Sequence, residues 1–450
     1  MRTFYRSKDE PAVAETTPPA YVPTHDTTPA KLKPISAPGS RPKVVIIGAG
    51  FAGLEAARAL SRAAVDIVLL DKKNHHCFQP LLYQVATAAL SPADVAWPIR
   101  SIVSGQENVS VIMADVCAVD KKSKIVTTKE GDRFHYDYLV IATGAYSSYF
   151  SHPEWAEYAP GLKTIEDATR IRSKILTGFE RAEKSTLQAE IRKFMTFVVV
   201  GAGPTGVELA GSIAEIAHSV LVRDFRKINP QSARVLLVEA GPRVLPSFPA
   251  DLSDYTKRIL SDIGVEVLTG LAVTGCDDQG VSLAGGERIE SACVLWAAGV
   301  KASPAAEWLG IEGDRAGRVP VNEFLQLPGN VDVFVIGDTA SVCSGGKPVP
   351  GLAPAAKQMG QYVGKHIARI VPGYKSARPF VYRHQGDLAT IGKMSAVVAF
   401  NRTKLKGVIG WLVWSVAHIY FLIGARNRAV VAINWLWEYL TFQRGARLIS

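Results

Sequence analysis

Apolar positions along this chain follow two rhythms. Short unbroken runs read as buried strands, and longer stretches with apolar residues every three or four positions read as helices. One order of these occurs twice. Val44–Asp71 (VVIIGAGFAGLEAARALSRAAVDIVLLD) is an apolar run, a glycine-rich turn, a helix, and a second run closing on an acid. Phe197–Glu239 opens FVVVGAGPTGVELAG and closes RVLLVE, with an insertion, HSVLVRDFRKINPQSA, that reads as a solvated loop. Further apolar runs predict buried strands at Tyr138–Thr143, Ala292–Ala297 and Val331–Ile336. Val109–Ile112, Ile125–Thr128 and Arg133–Tyr136 read as a small sheet, and Thr164 to Lys193 as a helical connector. Asp251–Ile263 is amphipathic; Val265–Val273 and Gly280–Leu283 read as strands, and a helix is expected from Pro354. The segments LATIGK and SAVVAF then predict two more strands.

The repeated unit carries chemistry. Gly48, Gly50 and Gly53 form G-x-G-x-x-G and Asp71 ends the second strand; Gly201, Gly203, Gly206 and Glu239 do the same in the second copy. Such a strand–turn–helix–strand unit holds a dinucleotide. The first glycine permits the tight turn, the second lets backbone N–H groups approach a pyrophosphate, and the third lets the helix pack close. The helix N-terminus supplies partial positive charge. Glu239 is placed to accept both ribose hydroxyls and to repel a 2′-phosphate, which favours NADH over NADPH. Two copies imply two dinucleotides, FAD and a nicotinamide. Gly144 and Gly299 close strands that cross under bound cofactors, and Asp338 after the Val331–Ile336 run is a candidate partner for a ribityl hydroxyl.

The expected class is α/β. It comprises two Rossmann-like dinucleotide-binding domains, the first discontinuous, followed by a C-terminal membrane-associating α/β segment. The expected boundaries are a disordered arm (residues 1–42), an FAD domain (43–163 and 300–372), an NADH domain (164–299) and the C-terminal segment (373–450). The arm is rich in Pro, Thr, Ala and Ser. It lacks a signal-peptide apolar core, and Asp9, Glu10, Glu15 and Asp26 spoil a mitochondrial presequence.

Composition removes several classes. The five cysteines are scattered, with no C-x-x-C, which argues against a disulfide framework, an iron–sulfur cluster or a redox dithiol. His75, His76 and Cys77 are adjacent, poor spacing for one ion, so no metal is expected. The net charge of +10 comes without a nucleic-acid recognition module and points to an anionic membrane. The tail agrees. Val408–Ala425 is 18 residues without a charge, and from residue 401 onward there are seven Lys/Arg against one acid, Glu438. Asn434, Glu438 and Thr441 read as a polar face set against Trp435, Leu436, Tyr439 and Phe442. A helix lying in a membrane interface is the leading reading; a single span and a buried homodimer interface are the competing ones.

These parts in this order resemble the two-dinucleotide flavoproteins, and in detail the type II (alternative) NADH dehydrogenases. The resemblance runs from Lys43 to the C-terminus. It rests most on FQPLLYQVATAALSP, GAGPTGVELAG, EAGPRVLPSF and LIGARNR with the Trp-rich tail. It implies FAD held by Gly48, Gly50, Gly53, Asp71, Gly144 and Asp338, and NADH held by Gly201, Gly203, Gly206 and Glu239. It also places Glu208 near the nicotinamide–flavin stack, and Gln358 and Lys393 toward a membrane quinone. The family's quinone-site helix usually begins Ala-Gln-x-Ala-x-Gln. Here it reads Ala353-Pro354-Ala355-Ala356-Lys357-Gln358, so Pro354 replaces the first glutamine. The implied activity is a non-pumping respiratory NADH:quinone oxidoreductase, peripheral on the membrane and at the cytoplasmic face if bacterial. A flavin-bearing redox switch resembling the apoptosis-inducing flavoproteins, or an NAD(P)H flavin reductase with another acceptor, are the rivals.

Overall fold

The structure, a computed structural model, describes residues 41–374, 378–441 and 444–449. Almost all of the expected arm lies outside them. In chain order the elements that build the site are β1 (Lys43–Ile47), α1 (Phe51–Ala59), β2 (Asp66–Asp71), β3 (Val109–Met113), β4 (Tyr138–Ile141) and α2 (Ile165–Lys184). Next come β5 (Thr196–Val200), α3 (Pro204–Glu215), β6 (Arg234–Glu239), β7 (Val265–Thr269), β8 (Cys293–Trp296), β9 (Gln326–Leu327) and β10 (Asn330–Val335). Last are α4 (Ala353–Ile370), β11 (Asp387–Gly392), β12 (Ser395–Phe400), β13 (Thr403–Lys406), α5 (Gly407–Phe421) and α6 (Ala425–Thr441).

One sheet has the order β9-β10-β4-β1-β2-β3, parallel except at its β9 edge, and so joins residues from both ends of the first 340. A second, all-parallel sheet has the order β7-β6-β5-β8. Both are covered on their two faces, which is why their inner strands are continuous apolar runs rather than alternating ones. Strand order reverses at β1/β4 and again at β5/β8. Crevices of that kind, at the carboxyl ends of strands, are where dinucleotides lodge.

Two differences from the sequence reading concern sheets. Val109–Met113 is not part of the small sheet; it pairs in parallel with β2 and extends the first large sheet. The small sheet is built instead from Val116–Asp120, Ile125–Thr128 and Arg133–His135. The run Val265–Val273 breaks after Thr269, where Gly270 takes φ +76° and the chain leaves the parallel sheet for an antiparallel one beginning at Val273. The insertion is also more ordered than a plain loop. It continues α3 as a π-turn at Ile216–Val220, and the Glu183 carboxylate gathers the backbone N–H groups of Arg226, Lys227 and Ile228.

Small residues set the close contacts that place the site. A Cβ on Gly360 would meet the Ala52 carbonyl oxygen at 2.1 Å, and one on Gly364 would meet Ala59 Cβ at 2.5 Å. Helix α4 therefore lies directly against α1 and brings its own N-terminus to the same crevice. Likewise a Cβ on Gly211 would stand 1.8 Å from the Ile391 carbonyl oxygen, so α3 lies flush on β11.

Candidate functional site

The two glycine turns are near copies. Gly48 and Gly201 both take positive φ, +98° and +97°, and donate N–H to the ends of β2 and β6 at 2.7 Å. A Cβ on Gly53 would fall 1.8 Å from the Gly48 carbonyl oxygen, and one on Gly206 would fall 1.8 Å from that of Gly201. Beside Gly50 and Gly203, by contrast, nothing lies within 4 Å of a Cβ position, so each turn opens onto free space at a helix N-terminus. Asp71 accepts from Ala49 N at 2.6 Å and Lys73 N at 2.8 Å; Glu239 accepts from Ala202 N and Gly241 N, both at 2.7 Å. Each carboxylate oxygen keeps a lone pair for a ribose hydroxyl. Arg243, four residues on, donates to the Pro246 carbonyl at 2.8 Å. The donor set, the open turns and the terminal acids fit two dinucleotides.

Between the turns lies a cavity of about 700 Å³ whose wall includes Phe51, Tyr83, Lys163, Glu208, Asp338 and Ala353. It brings Glu208 and Asp338 together. Asp338 follows Gly337, at φ +72°, which turns the chain out of β10. Burial raises the Asp338 carboxyl above its ordinary value, against the pull of Lys163 and Arg318. The start of α4 faces the same space, with Pro354 at a first-turn position where a missing N–H costs nothing. Gly144, at φ +69°, passes its carbonyl to Thr339 Oγ1 at 3.1 Å and so ties β4 to the Asp338 turn.

Glu208 sits in the first turn and a half of α3, where it is 8% exposed, and accepts from Thr390 N at 3.4 Å. Burial pushes its carboxyl well above the ordinary range, opposed only by that amide. The folded state thus favours the protonated acid. The stability this lends is complete below the unfolded value, about pH 4, and is lost as pH rises through the raised value. Glu208→Gln keeps the shape of the protonated acid without the ionisation. The variant is expected to melt with the parent at pH 4 and above it at pH 8. Equal melting temperatures at both pH values would mean that Glu208 is solvated in the folded protein.

Gln358 and Lys393 do not join this cavity. Gln358 clamps a backbone: Nε2 donates to the Arg383 carbonyl at 2.8 Å and Oε1 accepts from Arg383 N at 2.9 Å. It borders a groove of about 1020 Å³ shared by Pro354, Lys357, Gln361, Arg428 and the α5–α6 turn at Phe421–Gly424. Lys393 lines a third chamber, with Glu215, Glu438, Arg444, Trp414 and Trp435. Its backbone N–H donates to Glu215, and burial lowers its ammonium below the ordinary value. Sequence reasoning missed Lys163, Lys357, Glu215 and Arg444. Of these, Lys357 alone had a signal, since it stands one turn from Pro354 on the same helix.

The tail helices differ from expectation in which face they turn outward. Asn434 donates toward Asp94, Glu438 pairs with Arg444, and Trp435 is buried with its Nε1 on Gln84 Oε1 at 2.7 Å. The polar stripe of α6 and Trp435 therefore face the protein. Ile433, Leu436, Trp437 and Leu440 face outward, each more than half exposed, beside Ile409, Leu412, Val416 and Tyr420 of α5. The side chain of Tyr439 and all of Phe442 lie outside the described residues. The charge-free stretch does not run as one helix: α5 ends at Phe421, and Gly424 at φ +86° turns the chain into α6. No helix among the described residues is long and apolar enough to cross a membrane. Nor does any group of His, Cys, Asp or Glu among them have the makings of a metal site; His76 instead holds the Ala49 carbonyl at 2.9 Å, and burial drops it to about 4.

Comparison with known proteins matches residues 42–360 to the pyridine nucleotide-disulphide oxidoreductases and residues 384–444 to the NDH2 C-terminal domain. The type II NADH:quinone oxidoreductase NdhA of Mycobacterium tuberculosis is 45% identical over 430 residues, 92% of this chain and 91% of that one. The type II NADH:quinone oxidoreductase Ndh of the same organism is 42% identical, covering 93% and 92%. Among solved structures, NDH2 from Plasmodium falciparum in complex with NADH superimposes with a TM-score of 0.82 at 20% identity, over 91% of this chain and 100% of that one.

Proposed function

The chain belongs to the type II NADH:quinone oxidoreductases, and from that premise we propose that it passes electrons from NADH through FAD to a membrane quinone, without pumping protons. The observation that carries this reading is the pair of near-identical glycine cradles opening beside a cavity that holds Asp338 and Glu208. FAD, when bound, takes a hydride from the nicotinamide and gives up two electrons.

The chain's own residues bind, orient and shield. Gly48, Gly50, Gly53, Asp71, Gly144 and Asp338 would hold FAD, and Gly201, Gly203, Gly206 and Glu239 would hold NADH. Glu208, whose carboxyl burial raises well above its ordinary value, stands at the edge of the cavity, where it can hold a proton. In this reading residues 43–163 with 300–372 form the FAD domain, 164–299 the NADH domain, and 373–450 the C-terminal segment. The groove beside Pro354 and Gln358 is the quinone's approach. Its outer wall is the α5–α6 turn, and its inner wall is the same turn of α4 whose Ala353 and Ala356 face the dinucleotide cavity. Gln358 keeps one amide hydrogen for a quinone oxygen. The outward apolar rows of α5 and α6, flanked by Arg402, Lys404 and Arg426, lie on an anionic bilayer as a peripheral attachment.

The test is an anaerobic titration of the purified protein on anionic vesicles. NADH should bleach the flavin band, a quinone in the vesicles should restore it, and the protein should sediment with the lipid. A flavin that bleaches but is never reoxidised by quinone would overturn the reading.

A further inference from the structure

Lys357 stands out on the wall of the quinone groove for the hydrogen bonds it does not make. Pro354 contributes neither an N–H nor a polar side chain. Gln358 is clamped to Arg383 and Gln361 Nε2 donates to Glu55 Oε2 at 3.0 Å; each amide keeps a hydrogen to offer but neither can release a proton. Arg428 Nε donates to the Leu422 carbonyl at 2.8 Å, and Arg58 Nη1 reaches Glu55 Oε1 at 3.5 Å. Gln385 and Tyr420 also line the groove without a side-chain hydrogen bond among the described residues, but of the three only Lys357 is a cation. Its nearest carboxylate, Glu55 Oε1, is 3.9 Å away, too far for a hydrogen bond, and its Nζ rides 5.0 Å from the centre of the Phe421 ring. Its side chain lines the groove and is 28% exposed, so it is partly open to water.

The reaction leaves a need at this place. NADH brings two electrons and one proton as a hydride, and NADH + H⁺ + quinone gives NAD⁺ + quinol. The second proton must therefore come from solvent, directly or through a protein group. Resting on the reading of the groove given above, we propose that Lys357 is the group that delivers this proton to the quinone. An Nζ–H bond breaks and a bond from that hydrogen to the reduced quinone's oxygen forms. The neutral amine then regains a proton from solvent at its exposed edge.

The surroundings suit a donor. Burial lowers the Lys357 ammonium below its ordinary value. Arg58 on α1 and Arg428 on α6 push the same way, while Glu55 on α1 pulls back. Nearby His76 stays neutral at physiological pH, since burial holds it at about 4. The cationic amine also offers charge to the oxygen that becomes negative as the quinone is reduced. A cation over the Phe421 ring is held in place without spending its hydrogens.

Two measurements on the full chain with FAD bound test this. The first is pH-dependent acylation of lysines by an amine-reactive ester, read by mass spectrometry with and without a water-soluble naphthoquinone. Lys357 should reach half-labelling at lower pH than exposed Lys347, and the quinone should protect Lys357 alone. The second is the pH profile of quinone reduction. In the parent, kcat should fall on the alkaline side as the amine loses its proton. Lys357→Met should lower kcat by roughly a hundredfold, the low end of general-acid effects because water reaches the groove, and should abolish that alkaline fall. The KM for NADH should stay as it is. Lys357→Arg, which keeps the charge and cannot release it, should show the lowered kcat and no alkaline fall, as Lys357→Met does. Protection by quinone together with an unchanged pH profile in Lys357→Met would leave the groove standing and overturn the proton role. Absence of protection would remove both.

Discussion

Gly206→Ala is expected to give a protein that stays yellow with bound flavin yet is barely bleached by NADH. The added Cβ would stand 1.8 Å from the Gly201 carbonyl oxygen and 3.4 Å from Ala297 Cβ. Carbon and oxygen do not approach within 3.0 Å, so α3 must move off its turn by more than an ångström. That movement carries the helix N-terminus away from where a pyrophosphate would sit. Two charge-assisted hydrogen bonds lost there are worth about 3–6 kcal/mol, or roughly a 10²–10⁴-fold rise in the KM for NADH. Gly53→Ala places the same clash in the first cradle, 1.8 Å from the Gly48 carbonyl oxygen, and should yield protein purified largely without flavin. The two substitutions are chemically identical, and their different outcomes separate the cofactor cradle from the substrate cradle. Flavin content by absorbance and stopped-flow bleaching read both. A KM for NADH within threefold of the parent in Gly206→Ala would sink the steric argument.

Those cradles were legible because all they require is local. A glycine that must turn, one that must open and one that must pack lie within six positions of one another, with an acid at the next strand's end. The strand runs were legible for a related reason: a strand buried on both faces has to be continuously apolar. Val109–Met113 went to the wrong sheet because an edge strand of five residues says nothing about its partner, and β2 is supplied from forty residues earlier. The orientation of α6 was hidden by distance. A polar stripe at helical spacing means water in an isolated helix. Here the partners of Asn434, Trp435 and Glu438 are Asp94, Gln84 and Arg444, two of them more than 330 residues upstream. Lys357 was in plain view, in the helix whose altered first turn the sequence had already flagged. What the sequence lacked was the knowledge that its neighbours Gln358 and Gln361 were already hydrogen-bonded.

The same long-range logic makes Arg444→Ala the substitution with the largest expected effect on stability. Its guanidinium is satisfied by three separate pieces of chain: Nη2 meets Glu215 of α3 at 2.7 Å, Nε meets Glu438 of α6, and Nη1 meets the carbonyls of Thr87 at 3.1 Å and of Ser212, also in α3, at 3.4 Å. Only 4% of the Arg444 side chain is exposed, and about a fifth of each carboxylate side chain. Burial already holds the Glu215 carboxyl above its ordinary value despite Arg444 beside it. Removing the cation leaves two partly buried acids without their partner, at a cost of about 3 kcal/mol, the lower end for a broken buried pair because a fifth of each acid is exposed. The loss should be local, since the network ties α6 to the end of α3. Amide exchange over residues 425–441 should therefore accelerate by roughly a hundredfold, while α1 keeps its protection. Replacing the whole group at once, with Arg444→Met, Glu215→Gln and Glu438→Gln, removes the uncompensated charges and should restore most of the protection. If Arg444→Ala leaves α6 as protected as before, then the buried Val431 and Trp435 hold the helix by apolar packing alone, and the ion network contributes nothing to its attachment.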